Sequence, residues 1–125
     1  VDGKPFPTLY WLCSDVLKVE ISRIEAVGVI KALEQRLQEE PDFLEAYLQS
    51  HRDYVAARWD YMSDAQRQEV AQLGYTDVMT ERGIGGISNW HQVRCLHTQY
   101  AHHLCGNNVI GQWMDQHHQV DRCLP

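Results

Sequence analysis

The residues best suited to chemistry lie in one short run, His91-Gln92-Val93-Arg94-Cys95-Leu96-His97, with His102, His103 and Cys105 close behind. Thiolate and imidazole are the usual soft and borderline metal ligands and also the usual partners in thiol catalysis. Two further cysteines, Cys13 and Cys123, lie near the two ends of the chain and complete a set of four. A fold that brought both ends to the central run would gather three thiols around several imidazoles.

Helix geometry limits which of these side chains can share a ligand. Cys95 and His102 fall on one face of a helix, but their separation spans roughly 10.5 Å of axis against metal bonds of about 2.0 to 2.3 Å. The i,i+4 pair His91 and Cys95 and the i,i+3 pair His102 and Cys105 are closer, while His97 points almost opposite Cys95 on such a helix. A tetrahedral shell therefore draws on the distant thiols, and the expected ligands are Cys13, Cys95 and Cys123 with His102 or His97 as the imidazole. Zinc suits that mixed shell, and an iron-sulfur cluster held by three thiols and an imidazole is the alternative.

Three other readings use the same residues. If the helix starts a turn later than Ser88, Cys95 sits near its N-terminus beside Arg94, where dipole and cation favour a thiolate nucleophile. His97, His51 or His102 would then serve as base with Glu25 to orient it. The four cysteines also permit three disulfide pairings in an oxidising compartment, or simple burial as small apolar side chains. Separately, His51, Tyr54 and Arg58 share one side of a helix, which is either a solvated edge or, with Glu25, a polar pocket for a small anionic ligand.

The elements that must position these groups read as almost entirely helical. Ser14 and Asp15 offer an N-cap to a helix with Leu17, Ile21 and Ile24 at helical spacing, and Gly28 stops it. Val29 to Leu37 continues in register. Pro41 opens a longer helix with Phe43, Leu44, Tyr47, Leu48, Tyr54, Val55 and Trp59 along a broad face. Ser63 to Gln66 forms a capping box ahead of a short helix closed by Gly74. The pattern then lapses from Tyr75 to Trp90. Gly83-Ile84-Gly85-Gly86 lacks the lysine and the spacing of a phosphate-binding loop and reads as a hinge or mobile loop. Ser88 or Asn89 is the expected cap of the Cys/His helix, which ends at Gly106, and Asn108 opens a last helix. The expectation is a single, mainly α domain with an extended arm at 1–13, helices over 14–74, a loop over 75–90 and the Cys/His and C-terminal helices over 91–125.

The 125 residues carry a formal charge of -6 with 11 lysines and arginines scattered along the chain, which argues against binding nucleic acid. No apolar stretch approaches the roughly 20 residues of a membrane-spanning helix. Widely spaced cysteines point to reduced thiols and a cytoplasmic location, and Val1 in place of an initiator methionine suggests a trimmed start.

Several motifs together carry a family resemblance: Asp2-Gly3, Pro5-Phe6-Pro7-Thr8 with Tyr10 and Leu12-Cys13, Arg23-Ile24-Glu25-Ala26 with Gly28, His51 with Tyr54 and Arg58, Val93-Arg94-Cys95-Leu96-His97, Ala101-His102, and the Gly106 to Gly111 turn. With these the chain resembles the bacterial family called domain of unknown function 501. The resemblance implies a polar Cys/His site in which Glu25, His51, Cys95, His97, His102 and Asn108 belong to the recurring pattern, whereas Cys105 and His91 do not. Relatives tend to have proline where Val109 stands, and many carry an extra N-terminal segment with its own cysteine. The family brings no reaction with it. Its gene neighbourhood implies, as a further expectation, an adaptor in a cell-division or housekeeping complex that would engage a protein partner through the glycine loop and acidic surface.

Overall fold

The structure is a computed structural model that describes residues 14–124, so the expected extended arm and Cys13 lie outside the described residues. Among those residues there are seven α-helices and no strand. Helix α1 (Asp15–Ala26) begins where the Ser14 side chain accepts the Leu17 N–H at 3.3 Å, and buries Leu17, Ile21 and Ile24. Gly28, at φ 81°, turns the chain into α2 (Val29–Glu39), which buries Leu33 and Leu37. Only glycine takes that left-handed conformation without cost.

Helix α3 (Pro41–Tyr61) is the longest of these helices and opens with proline in its first turn, where a missing N–H costs nothing. Its buried stripe is Phe43, Tyr47, Ser50, His51, Tyr54 and Arg58. Leu48, Val55 and Trp59, expected on that face, are only partly buried. His51 and Arg58 take the interior positions instead, because carbonyls and amides of the following segment are there to satisfy them. Helix α4 (Asp64–Gln72) has the reciprocal Ser63 and Gln66 capping box expected from the sequence.

Two expectations for the next stretch need correction. The segment 75–90 is not simply a loop: it contains helix α5 (Thr76–Glu81) and a 3-10 turn, Ile84–Gly86. Six residues are too few for a periodic signature, and α5 is held by tertiary contacts, with Met79 buried and the Arg58 guanidinium donating to the Met79 carbonyl at 2.8 Å. The glycine run is packed rather than free, since Gly83 and Ile84 are buried.

The second correction concerns α6 (Leu96–Cys105), which starts well after Ser88 and Asn89. Asn89 instead uses its side-chain oxygen to accept the His91 N–H at 3.0 Å in a local turn, and residues 92–95 stay non-helical. Their path is fixed from outside by carboxylates of α2 and α1: Glu34 accepts the Val93 N–H at 3.1 Å and Glu25 the Leu96 N–H at 2.8 Å. His91 and Cys95 are therefore not an i,i+4 pair on a helix.

Asn108 caps α7 (Val109–His118), accepting the Gly111 N–H at 2.9 Å, and a 3-10 turn, Val120–Cys123, returns to α1. The core gathers Ile21 and Leu33 with Tyr47, Leu96, Tyr100 and Met114. None of the described helices is long and apolar enough to cross a membrane.

Helices α6 and α7 meet where Gly111 faces His103. A Cβ at Gly111 would lie 2.2 Å from the His103 Cβ, too close for the two helices to keep their spacing. Gly111→Ala is expected to lower unfolding free energy by about 1 to 3 kcal/mol, the usual cost of overpacking, as read by urea denaturation.

Candidate metal centre

Cys95 is the residue immediately before α6, in extended conformation at φ -132° and ψ 111°. Because it is not yet helical, its side chain and that of His97 are not forced to opposite sides, and Cys95 Sγ lies 3.8 Å from His97 Nδ1. Glu25, from the last turn of α1, approaches the same nitrogen with Oε1 at 3.2 Å. The ligand atoms of Glu25, Cys95 and His97 all fall within 4.8 Å of one another, and the side chains of Glu25 and His97 are each 26% exposed.

Each side of this triangle has a support. The Glu25 oxygen that faces His97 also accepts the Leu96 N–H, so the carboxylate closes the N-terminus of α6 from another helix. His97 Nε2 lies 3.1 Å from the Lys18 carbonyl and 3.2 Å from Ser22 Oγ. A carbonyl can only accept, so that nitrogen carries the ring's proton and donates it. Nδ1 is then the ring nitrogen turned toward the carboxylate oxygen and the sulfur, where a proton or a metal ion could sit among the three atoms.

In a tetrahedral centre with bonds of about 2.0 to 2.3 Å, neighbouring ligand atoms stand about 3.3 to 3.6 Å apart. The observed 3.2 and 3.8 Å bracket that spacing. A Glu25, Cys95 and His97 group could hold a metal ion.

The other residues singled out from the sequence lie elsewhere. His102 is buried within α6, its Nδ1 3.1 Å from the Asn108 side-chain nitrogen, and an edge-on ring contact joins it to Tyr54. Asn108 also donates to Gln99, Gln99 to Tyr47, and the Tyr47 hydroxyl to the Gln92 carbonyl, a buried relay that ties α3, α6 and α7 together. Cys123 is half-buried against the hydrophobic core, and Cys105 is exposed at the end of α6. Among the described residues, neither His102 nor Cys123 joins Cys95 in a three-ligand group.

The expected pocket of His51, Arg58 and Glu25 does not form as such. Glu25 is engaged by α6, whereas the Arg58 guanidinium donates to the carbonyls of Met79 and Arg82 at the end of α5. His51 accepts the Ile84 N–H at Nδ1. Both residues therefore organise the segment before α6, and burial lowers the pKa of Arg58.

Sequence reasoning missed Ser22 and the Lys18 carbonyl. Ser22 was findable, because it precedes Glu25 by three residues and so shares its helix face. A backbone carbonyl leaves no trace in residue type.

The chain's pattern now decides its family, for the sequence profile that matches covers residues 1–116. The chain belongs to the family described as Protein of unknown function (DUF501). No curated protein and no solved structure gives a significant match. What this DUF501 domain does must therefore be argued from its own atoms.

Burial gives the DUF501 domain a pH dependence of stability. Desolvation, with nearby His102 adding to it, pushes His51 down to about 3, and desolvation pushes His102 down to about 4. The unfolded chain, with histidine near 6.5, binds protons that these rings refuse. Their stabilising contribution is present above pH 6.5 and lost as pH falls toward 4. Urea denaturation between pH 7 and 5 is expected to show a loss of up to about 1.4 kcal/mol per histidine per pH unit below 6.5. His51→Asn should flatten that slope.

Proposed function

We propose that this protein binds a single divalent cation, zinc by its donor chemistry, at Glu25, Cys95 and His97. The observation that carries the reading is the position of His97 Nδ1, with the Lys18 carbonyl on the far side of the ring and a carboxylate and a thiol in front. Metal-binding histidines commonly donate their other ring nitrogen to a carbonyl in this way, which sets the tautomer and the ring's orientation. One thiolate, one imidazole and one carboxylate favour zinc over an iron-sulfur cluster, which draws chiefly on several thiolates.

Three protein ligands on a half-exposed site leave a fourth position for water or substrate. A zinc ion there would act as a Lewis acid and supply a nucleophilic hydroxide near neutral pH. Metal-assisted hydrolysis or addition at a polarised oxygen is the reaction class that such a centre serves. Glu25 would neutralise charge and His97 fix direction, while Cys95 would add the soft ligand.

A second reading rests on the place of Cys95 before the first turn of α6 and its 3.8 Å approach to His97. Without a metal, the same side chains place a thiol beside an imidazole, the pairing that thiol nucleophiles use.

Protein purified without added metal should take up a single equivalent of zinc, measured by elemental analysis and chelator competition. Cys95→Ser and His97→Ala should each weaken binding by more than the roughly 10- to 100-fold that loss of an outer partner costs. Folded wild-type protein that takes up no zinc after anaerobic purification would end this reading. Rapid alkylation of Cys95 in that same metal-free protein would then favour the thiol pair.

A further inference from the structure

Glu25 and His97 are each oriented by hydrogen bonds from outside the triangle, to the Leu96 N–H and the Lys18 carbonyl. Beside Cys95, the Gly83–Gly86 turn packs on α6. We propose that His51 is a positioning residue of this centre, holding the Gly83–Gly86 turn against Cys95 through the Ile84 N–H.

The imidazole of His51 is itself immobile. It is fully buried on α3, with the edge of Tyr47 at 4.4 Å between ring centroids and Trp90 stacked over it at 5.1 Å. Trp90 is fixed in turn by donating from Nε1 to the Glu81 carbonyl at 2.8 Å. His51 Nδ1 accepts the Ile84 N–H at 3.1 Å, which places the ring's own proton on Nε2, a buried atom that finds no acceptor among the described residues. An orphaned donor of this kind costs stability. The histidine keeps that cost while its other nitrogen serves the turn.

The turn touches both partners closely. A Cβ at Gly83 would lie 2.4 Å from His51 Nδ1, so the backbone is flush with the imidazole. Two residues on, Gly85 has φ +76°, and a Cβ there would lie 3.2 Å from Thr98 Oγ1 and 3.9 Å from the Cys95 Cβ. Thr98 Oγ1 donates back to the Cys95 carbonyl at 3.0 Å. The turn is thus wedged between the His51 ring and the first turn of α6, with glycine at both close approaches. The Cys95 sulfur lies 3.8 Å from His97 Nδ1.

The claim about metal rests on the centre proposed above, and the claim about Cys95 orientation does not. His51→Leu and His51→Asn are compared with wild type for zinc affinity by chelator competition and for Cys95 alkylation in zinc-free protein, read by peptide mass mapping. Asparagine offers Oδ1 one bond beyond Cγ, where histidine offers Nδ1, and can accept the Ile84 N–H. His51→Leu is expected to weaken zinc binding on the order of tenfold, as for other outer partners, and to speed Cys95 alkylation severalfold. His51→Asn is expected to restore both. A folded His51→Leu protein with wild-type affinity and labelling overturns the proposal, as does a His51→Asn protein as impaired as the leucine variant. If wild type binds no zinc while Cys95 labelling still separates leucine from asparagine, the metal reading fails and the positioning role stands. If His51→Leu does not fold, Gly85→Ala in the native His51 background displaces the same wedge, and unchanged Cys95 labelling there overturns the proposal.

Discussion

The Glu25 carboxylate meets the Leu96 N–H across 71 residues of sequence, and most of what is distinctive in this protein depends on that contact. Helix α6 begins without a side-chain cap of its own, because Cys95 stands at the capping position and its thiol makes no capping bond. The exposed amides and the positive end of the helix dipole call for an acceptor and for negative charge. Glu25 brings both, a service typically worth about 0.5 to 2 kcal/mol when a polar residue caps locally. Because the capping oxygen is also the one that faces His97, docking of α1 on α6 and assembly of the triangle are a single event. Deleting the carboxylate loosens a helix as well as emptying one corner of the triangle, whereas an amide keeps the acceptor and loses the charge.

Depth sorts the histidines of this fold into different tasks. His97 lies half-exposed at the meeting of α1 and α6, where an ion or a substrate can reach it. His102, five residues further along α6, is 2% exposed and bonded to Asn108. The bonds through Asn108, Gln99 and Tyr47 run in one donor direction to the Gln92 carbonyl. Fully satisfied buried networks of this kind specify one arrangement of helices. The relay thereby fixes the angle at which α6 presents its N-terminus to α1.

Much of the frame was legible in the residues. Ser14, Ser63 and Asn108 cap helices, Gly28, Gly74 and Gly106 end them, and Pro41 begins one, because these residues act on the backbone within a few positions of themselves. The family resemblance was also legible, carried by motifs spread along most of the chain. The site was legible only in parts. Glu25, Cys95 and His97 were each singled out, with Cys95 placed either inside a helix begun at Ser88 or Asn89, where geometry sets it opposite His97, or near the N-terminus of a later-starting helix, where the structure has it. Its extended conformation follows from Glu34 and Glu25 seizing the N–H groups of Val93 and Leu96, contacts from helices more than 50 residues away. The short helix α5 was lost for the same reason, since Arg58 and not local periodicity secures its end.

The hydrophobic core bears on what kind of centre this is. Ile21, Leu33, Tyr47, Leu96 and Met114 are buried together without help from Cys95 or His97. Small domains that need a structural metal are those whose apolar core is too small to fold alone, and their ligands stand in for that core. Here α1 and α6 are already joined by apolar contacts and by the Glu25 cap. An ion at the triangle would add stability only through its binding free energy, as any ligand of the native state does. A cation held by Glu25, Cys95 and His97 would not be needed for the integrity of this fold, and would serve chemistry or exchange rather than architecture.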